Sequence, residues 1–122
     1  MKSLSILLID DDEIERIKFK KVCKKINYDV TIFEAINGEN ALTFLNDNNS
    51  FDLIISDLHM PKMDGLELIT KIKKNPKYNN IPLVVMSTSK DKLELKKCYD
   101  FGISGFFSKP SKFSEYSKKV VL

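Results

Sequence analysis

Three consecutive aspartates, Asp10, Asp11 and Asp12, end the apolar run in LSILLIDDDEIER, residues 4–16. Neighbouring carboxylates repel and disfavour one another's ionisation, so a fold that gathers them needs a compensating positive charge. A fourth aspartate, Asp57, ends the run FDLIIS and is followed by Leu58, His59, Met60 and Pro61. Ser87, Thr88 and Ser89 close the run that begins at Ile81, and Lys109 and Pro110 follow the short run SGFF. Carboxylates from two segments, a hydroxyl from a third and an ammonium from a fourth make a set with a definite chemistry. Clustered carboxylates suit a hard divalent cation, and Mg²⁺ fits because it keeps several waters and needs only one or two carboxylates. Such a cation would attract a phosphoryl group that the aspartates alone would repel, and Lys109 and Ser87 could share the charge on its oxygens. Asp57 could then act as the nucleophile that forms an acyl phosphate.

Taken singly, each residue has an ordinary explanation. One aspartate can cap a helix and the others be solvated, Ser87 can cap the helix that follows it, and Lys109 can be a surface lysine. His59 is the only histidine and has no partner for zinc or catalysis, so it reads as a loop residue. The weight lies in their joint occurrence at the ends of four apolar segments.

Those segments are strands by pattern. LSILLI (4–9), VTIFEA (30–35), FDLIIS (51–56), IPLVVMS (81–87) and SGFF (104–107) alternate with helical spacing. The first, third and fourth are nearly continuous Leu/Ile/Val, as in parallel strands buried on both faces. Between them, Phe19, Val22, Cys23 and Ile26 fall at i, i+3, i+4 and i+7. Ala41, Leu42 and Leu45 mark a second helix, Leu68, Ile69 and Ile72 a third, and Leu95, Cys98 and Tyr99 a fourth. Phe113, Tyr116, Ser117 and Val120 mark a fifth. Asn37-Gly38 and Asp64-Gly65 punctuate helix starts, and Asn75-Pro76 closes one. Strict alternation predicts an α/β fold, a doubly wound five-stranded parallel sheet with five helices on its two faces. Ligands of such sheets sit beyond the carboxyl ends of the strands, where the strand order reverses.

The 122 residues read as one domain with a proper core. No window is long and apolar enough for a membrane span, and the first apolar run ends in carboxylates rather than a cleavage site. Cys23 and Cys98 lack metal-ligand spacing and read as buried thiols, which places the chain in the cytoplasm. A net charge of +3 from 20 basic and 17 acidic residues is too small and dispersed to argue for nucleic acid. Arg16, Lys18, Lys20, Lys21, Lys24 and Lys25 crowd one segment, either a solvated face or a surface for an acidic partner. With four glycines and no G-K-[ST], a nucleotide-binding P-loop is absent.

The segments LLIDDDEIER, EAINGENAL, LIISDLHMPKMDGLEL, PLVVMSTS and GISGFFSKP resemble, in order and over essentially the whole chain, a two-component response-regulator receiver domain of the single-domain, chemotaxis-regulator-like kind. The most specific stretch is D-x-x-M-P-x-x-D-G, from Asp57 to Gly65. The resemblance implies a flavodoxin-like sheet in strand order 2-1-3-4-5. It implies Asp57 as phosphoacceptor, Asp10 and Asp11 as the acidic pair around Mg²⁺ or Mn²⁺, Asp11 binding directly and Asp10 mostly through water. Asp57 itself and the backbone carbonyl of His59 would complete the metal ligands. Lys109 would pair with the phosphoryl group and precede a cis Pro110, Ser87 would move toward a phosphoryl oxygen, and Phe106 would turn inward as the switch aromatic. Asp12 is left to start the first helix.

The chain departs from the family pattern in three respects. Phe106 lacks the hydroxyl of the Tyr that many members carry. Thr88 is bulkier than the residue often found there, and His59 and Ser89 occupy the two variable positions that affect loss of the phosphoryl group.

The expected function is therefore a phosphorylation-controlled switch, not an enzyme beyond its own phosphorylation and dephosphorylation. A sensor histidine kinase or histidine phosphotransfer protein would be the donor. With no output domain in residues 1–122, a downstream protein target or onward transfer would give the output, from a monomer or weak dimer, with no nucleic acid or membrane partner. An aspartyl-phosphate phosphatase would need an acid where His59 stands, and a flavin site would not open with three aspartates. A constitutive docking module usually lacks one of the acidic, hydroxyl or lysine residues, and all are present.

Overall fold

The computed structural model describes residues 3–26, 29–47, 50–60, 63–87 and 91–109, apart from the Phe107 side chain. The chain order is β1 (Ser3–Ile9), α1 (Glu13–Cys23), β2 (Asp29–Ala35), α2 (Gly38–Asp47), β3 (Leu53–Asp57), α3 (Gly65–Lys74), β4 (Leu83–Ser87), α4 (Lys92–Asp100) and β5 (Gly105–Ser108). All strand pairs are parallel, in the order β2-β1-β3-β4-β5. Four helices lie among the described residues; the fifth helical pattern, residues 112–122, falls outside them, as do Thr88, Ser89 and the bond to Pro110.

The unbroken apolar run of β1 is explained by burial on both faces. Leu7 and Ile9 enter a large core with Ile54, Leu83 and Val85, closed by Ala41 and Leu45 of α2, Leu68, Ile69 and Ile72 of α3, and Cys98 of α4. Ile6 and Leu8 point the other way and pack with Ile55 and Met86 against Phe19, Val22 and Cys23 of α1. Each fully buried aliphatic or aromatic side chain contributes about 1.5–3 kcal/mol, and the two layers fix the register of the central strands.

Carboxylates and an amide set the helix starts. Asp12 Oδ1 accepts from Ile14 and Glu15 N–H, Asp64 Oδ1 from Glu67 N–H, and Asp91 Oδ1 from Leu93 N–H, while Asn37 Oδ1 accepts from Asn40 N–H. Ser87 therefore does not cap the fourth helix; it is the last residue of β4, and Asp91 caps α4. Two expectations about the helices are corrected. Tyr99, expected on the inner face of the fourth helix, is 50% exposed because Cys98 takes the core position. Ile26 lies beyond the end of α1, in a turn where Lys25 and Ile26 N–H bond back to Val22 and Cys23. Both cysteines are buried free thiols, as expected, and burial pushes Cys23 up to about 11.

Gly65 is demanded by close approach. Its N–H donates to Leu58 O at 2.7 Å, and a Cβ there would lie 2.5 Å from that oxygen and 2.7 Å from Leu58 Cα. The first turn of α3 thus sits directly on the segment after β3, the physical reason for glycine at the end of D-x-x-M-P-x-x-D-G.

Candidate functional site

The sheet register assembles the site. Ile9 pairs with Ser56, so Asp10, one step beyond β1, comes level with Asp57 at the end of β3. Asp57 pairs with Met86, putting Ser87 one step further on, and Ser87 pairs with Ser108, so Lys109 comes next. The outer ladders continue past the strands, with Asp10 N–H donating to Ala35 O at 3.0 Å and Lys109 N–H to Ser87 O at 2.8 Å. Residues distant in sequence are thus delivered to one edge by backbone pairing.

There, carboxylate oxygens of Asp10, Asp11 and Asp57 all lie within 4.8 Å of one another. Asp10 is 1% exposed and Asp57 7%, while Asp11 is exposed. Lys109 Nζ lies 2.8 Å from Asp10 Oδ2 and 3.5 Å from Asp57 Oδ1. Asp10 Oδ1 also accepts from Asp12 N–H at 2.9 Å. Both Asp10 oxygens therefore have protein partners. Burial, with the nearby Asp10 charge, holds Asp57 above the usual carboxylate range, against the pull of Lys109 and a His59 backbone N–H. Burial pulls the Lys109 ammonium down, yet the Asp10 hydrogen bond and the charges of Asp10, Asp57 and Glu15 outweigh it, so its pKa is raised. Lys109 stays charged at neutral pH.

The donor set fits a hard divalent cation: three carboxylates in reach of one point, one of them open to water, with no sulfur or imidazole nitrogen among them. The sequence-derived residues Asp10, Asp11, Asp57 and Lys109 come together here. Ser87 is fully buried at the adjoining strand end. Phe106, paired in register with Val85, is half-buried against the larger core. The backbone of His59 borders Asp57, but its side chain, 57% exposed, turns outward and meets Glu94 Oε1 of α4 at 3.2 Å.

Two neighbours of the site were not singled out in the sequence as such. Arg16 Nη1 donates to the Asp10 carbonyl at 2.7 Å and Arg16 Nε to Glu34 Oε1 at 3.0 Å; Lys20 Nζ binds the other Glu34 oxygen at 2.9 Å. Two members of the basic run are thus occupied with Glu34, whose pKa the Lys20 hydrogen bond, then Arg16, lowers despite burial. An ionisable residue inside the apolar segment VTIFEA was the available signal.

A family model described as "Response regulator receiver domain" matches residues 6–121. Among curated relatives in rice, the two-component response regulator ORR8 (Oryza sativa subsp. indica) is 33% identical over 112 residues, covering 92% of this chain and 91% of that protein. ORR13 (Oryza sativa subsp. japonica) is 30% identical over 115 residues, 94% of this chain and 93% of that protein. Among solved structures, the Mn²⁺-bound form of response regulator Rcp1 superposes with a TM-score of 0.86 at 28% identity, covering 96% of this chain and 88% of that one. The phosphorylated cyanobacterial phytochrome response regulator RcpA gives 0.89 at 25% identity, with 97% and 89% covered.

Proposed function

This chain belongs to the response regulator receiver domain family of two-component signalling, and from that membership we propose that it is a switch controlled by phosphorylation of Asp57. The observation that carries the reading is the setting of that carboxylate: buried at the end of the central strand, 3.5 Å from the part-buried Lys109 ammonium and beside two further carboxylates. A sensor histidine kinase or histidine phosphotransfer protein presents a phosphorylated imidazole. An Asp57 oxygen attacks phosphorus in line, the P–O bond forms as the P–N bond breaks, and the imidazole leaves with the electron pair.

Asp11, Asp57 and the His59 carbonyl would hold Mg²⁺ or Mn²⁺, and Asp10, both of whose oxygens already have protein partners, would act mostly through water. When bound there, such a cation would supply positive charge to offset that gathering on the phosphoryl oxygens. Lys109 supplies the second positive charge, and Ser87 donates its hydroxyl to a phosphoryl oxygen after moving toward it. That the similar Rcp1 was solved with Mn²⁺ and RcpA phosphorylated supports both parts.

Output follows from differential stabilisation. The phosphoryl group favours the arrangement in which Ser87 has moved and Phe106 has turned into the vacated space. Lacking a hydroxyl, Phe106 stabilises that state by ring packing alone. The changed face binds a downstream protein, or Asp57 passes the phosphoryl group on. Residues 1–122 act as one receiver unit, as a monomer or weak dimer, in the cytoplasm where buried thiols stay reduced. Among the described residues no helix is long and apolar enough to cross a membrane.

The test is intact-protein mass after incubation with acetyl phosphate, with and without Mg²⁺, beside Asp57→Ala. A Mg²⁺-dependent gain of one phosphoryl group in the wild type alone is expected. No gain from acetyl phosphate or from a phosphorylated phosphotransfer protein would defeat the proposal.

A further inference from the structure

Asp10 is anchored by its backbone as firmly as by its side chain. Its N–H donates to Ala35 O on β2, and its carbonyl accepts from Arg16 Nη1 at 2.7 Å. Arg16 is gripped by Glu34, the residue before Ala35, through Nε at 3.0 Å. Asp10, Arg16, Glu34 and Ala35 thus close a ring through β1, α1 and β2. Only 12% of the Arg16 side chain is exposed. This is not a surface ion pair of negligible worth but a guanidinium fork seated between a carboxylate and a backbone carbonyl.

The carbonyl that Arg16 holds belongs to the peptide joining Asp10 to Asp11. Fixing that peptide plane fixes the direction in which Asp11, the exposed carboxylate of the cluster, leaves the backbone. We propose that Arg16 is a positioning residue for the divalent-cation site: held by Glu34, it orients the Asp10–Asp11 peptide so that the Asp11 carboxylate meets that of Asp57. The inference rests on the cation-dependent reading above and extends it to a group that touches neither cation nor phosphoryl oxygen. Outer partners of this kind commonly change metal affinity by about 10–100-fold when removed.

The sign of the effect separates positioning from charge. A guanidinium bonded to a residue of an acidic cluster repels a cation, so by Coulomb's law alone its removal tightens binding. Positioning demands the opposite. The experiment is titration of the full chain with Mn²⁺ as sole probe, followed by calorimetry, for wild type, Arg16→Ala, Arg16→Lys and Lys20→Met. Lys20→Met removes a cation from the same carboxylate without touching Asp10, so its Kd should stay within about twofold of wild type.

Arg16→Ala and Arg16→Lys should each weaken Mn²⁺ binding about tenfold or more. Arg16→Lys preserves the charge but not the fork, so it decides the matter if Arg16→Ala does not fold. Arg16 variants that bind Mn²⁺ as tightly as wild type, or tighter, overturn the inference and leave the cation site standing. Wild-type protein that takes up no Mn²⁺ overturns both.

Discussion

At the carboxyl end of the sheet Asp10 and Asp57 are buried, Lys109 bridges them with little of its side chain exposed, and the pKa values of Asp57 and Lys109 are both raised. At the amino end, lysines such as Lys21, Lys71, Lys74 and Lys97 occupy the last turns of α1, α3 and α4 and stand in water. Among the described residues, the parallel βα order sends the N-termini of α1 to α4 to the first end and their C-termini to the second. The carboxylates at the first end and the lysines at the second therefore suit the helix dipoles, while Lys109 is held by its carboxylate partners instead. Their consequences differ because burial differs. Exposed lysines are screened and individually replaceable. Buried groups carry a desolvation cost that only fixed partners offset, so their geometry is held and a ligand that neutralises them has something to act on.

The largest structural effect expected at the carboxyl end is that of Gly65→Ala. Its Cβ would meet the Leu58 backbone rather than a flexible side chain, so Leu58 or the first turn of α3 must shift at a cost of about 2–3 kcal/mol. Urea unfolding reads this as a lower midpoint; a variant within about 0.5 kcal/mol of wild type would show that the turn yields freely.

A smaller effect of opposite sign is expected from Asp57→Asn. Burial raises the Asp57 pKa, so the stability this group contributes is present below the unfolded carboxylate pKa and lost as pH rises through the folded value. At pH 7 the ionised form costs stability, and Asn should raise it by about 1 kcal/mol without divalent cation. The gain should vanish below about pH 4, where both side chains are neutral, and shrink on adding Mg²⁺. Thermal unfolding across pH measures it, and a gain that persists at pH 3 would remove burial of charge as the cause.

The smallest effect belongs to the amino end. Lys71→Gln combined with Lys74→Gln should change stability by less than about 0.5 kcal/mol, since Lys71 reaches Glu67 only at 4.0 Å on an exposed helix face. A loss above about 1 kcal/mol in denaturant unfolding would dissolve the contrast between the two ends.

Much of the fold was legible because period and punctuation are local. β1 and β4 announced themselves by apolar runs too continuous for one-sided burial, and Asp64-Gly65 by the turn residues that punctuate a helix start. Tyr99 misled because a helical period cannot tell the core side of α4 from its edge when Cys98 stands next to it. Arg16 and Lys20 read as members of a basic face because nothing in the α1 segment itself reveals that Glu34, on β2, has claimed both.

By itself the sequence determined the residue types at each strand end, and hence the chemistry they can share, because strand ends in a βα chain all face one edge. Only the tertiary structure decided which atoms meet. The register of β1 on β3 and of β4 on β5 set Lys109 2.8 Å from Asp10 rather than in solvent. The ring through Arg16 and Glu34 joined two helical and strand segments that share no local pattern. Distances of that order depend on packing across the whole sheet, where a one-residue slip would send every side chain of a strand to the other face.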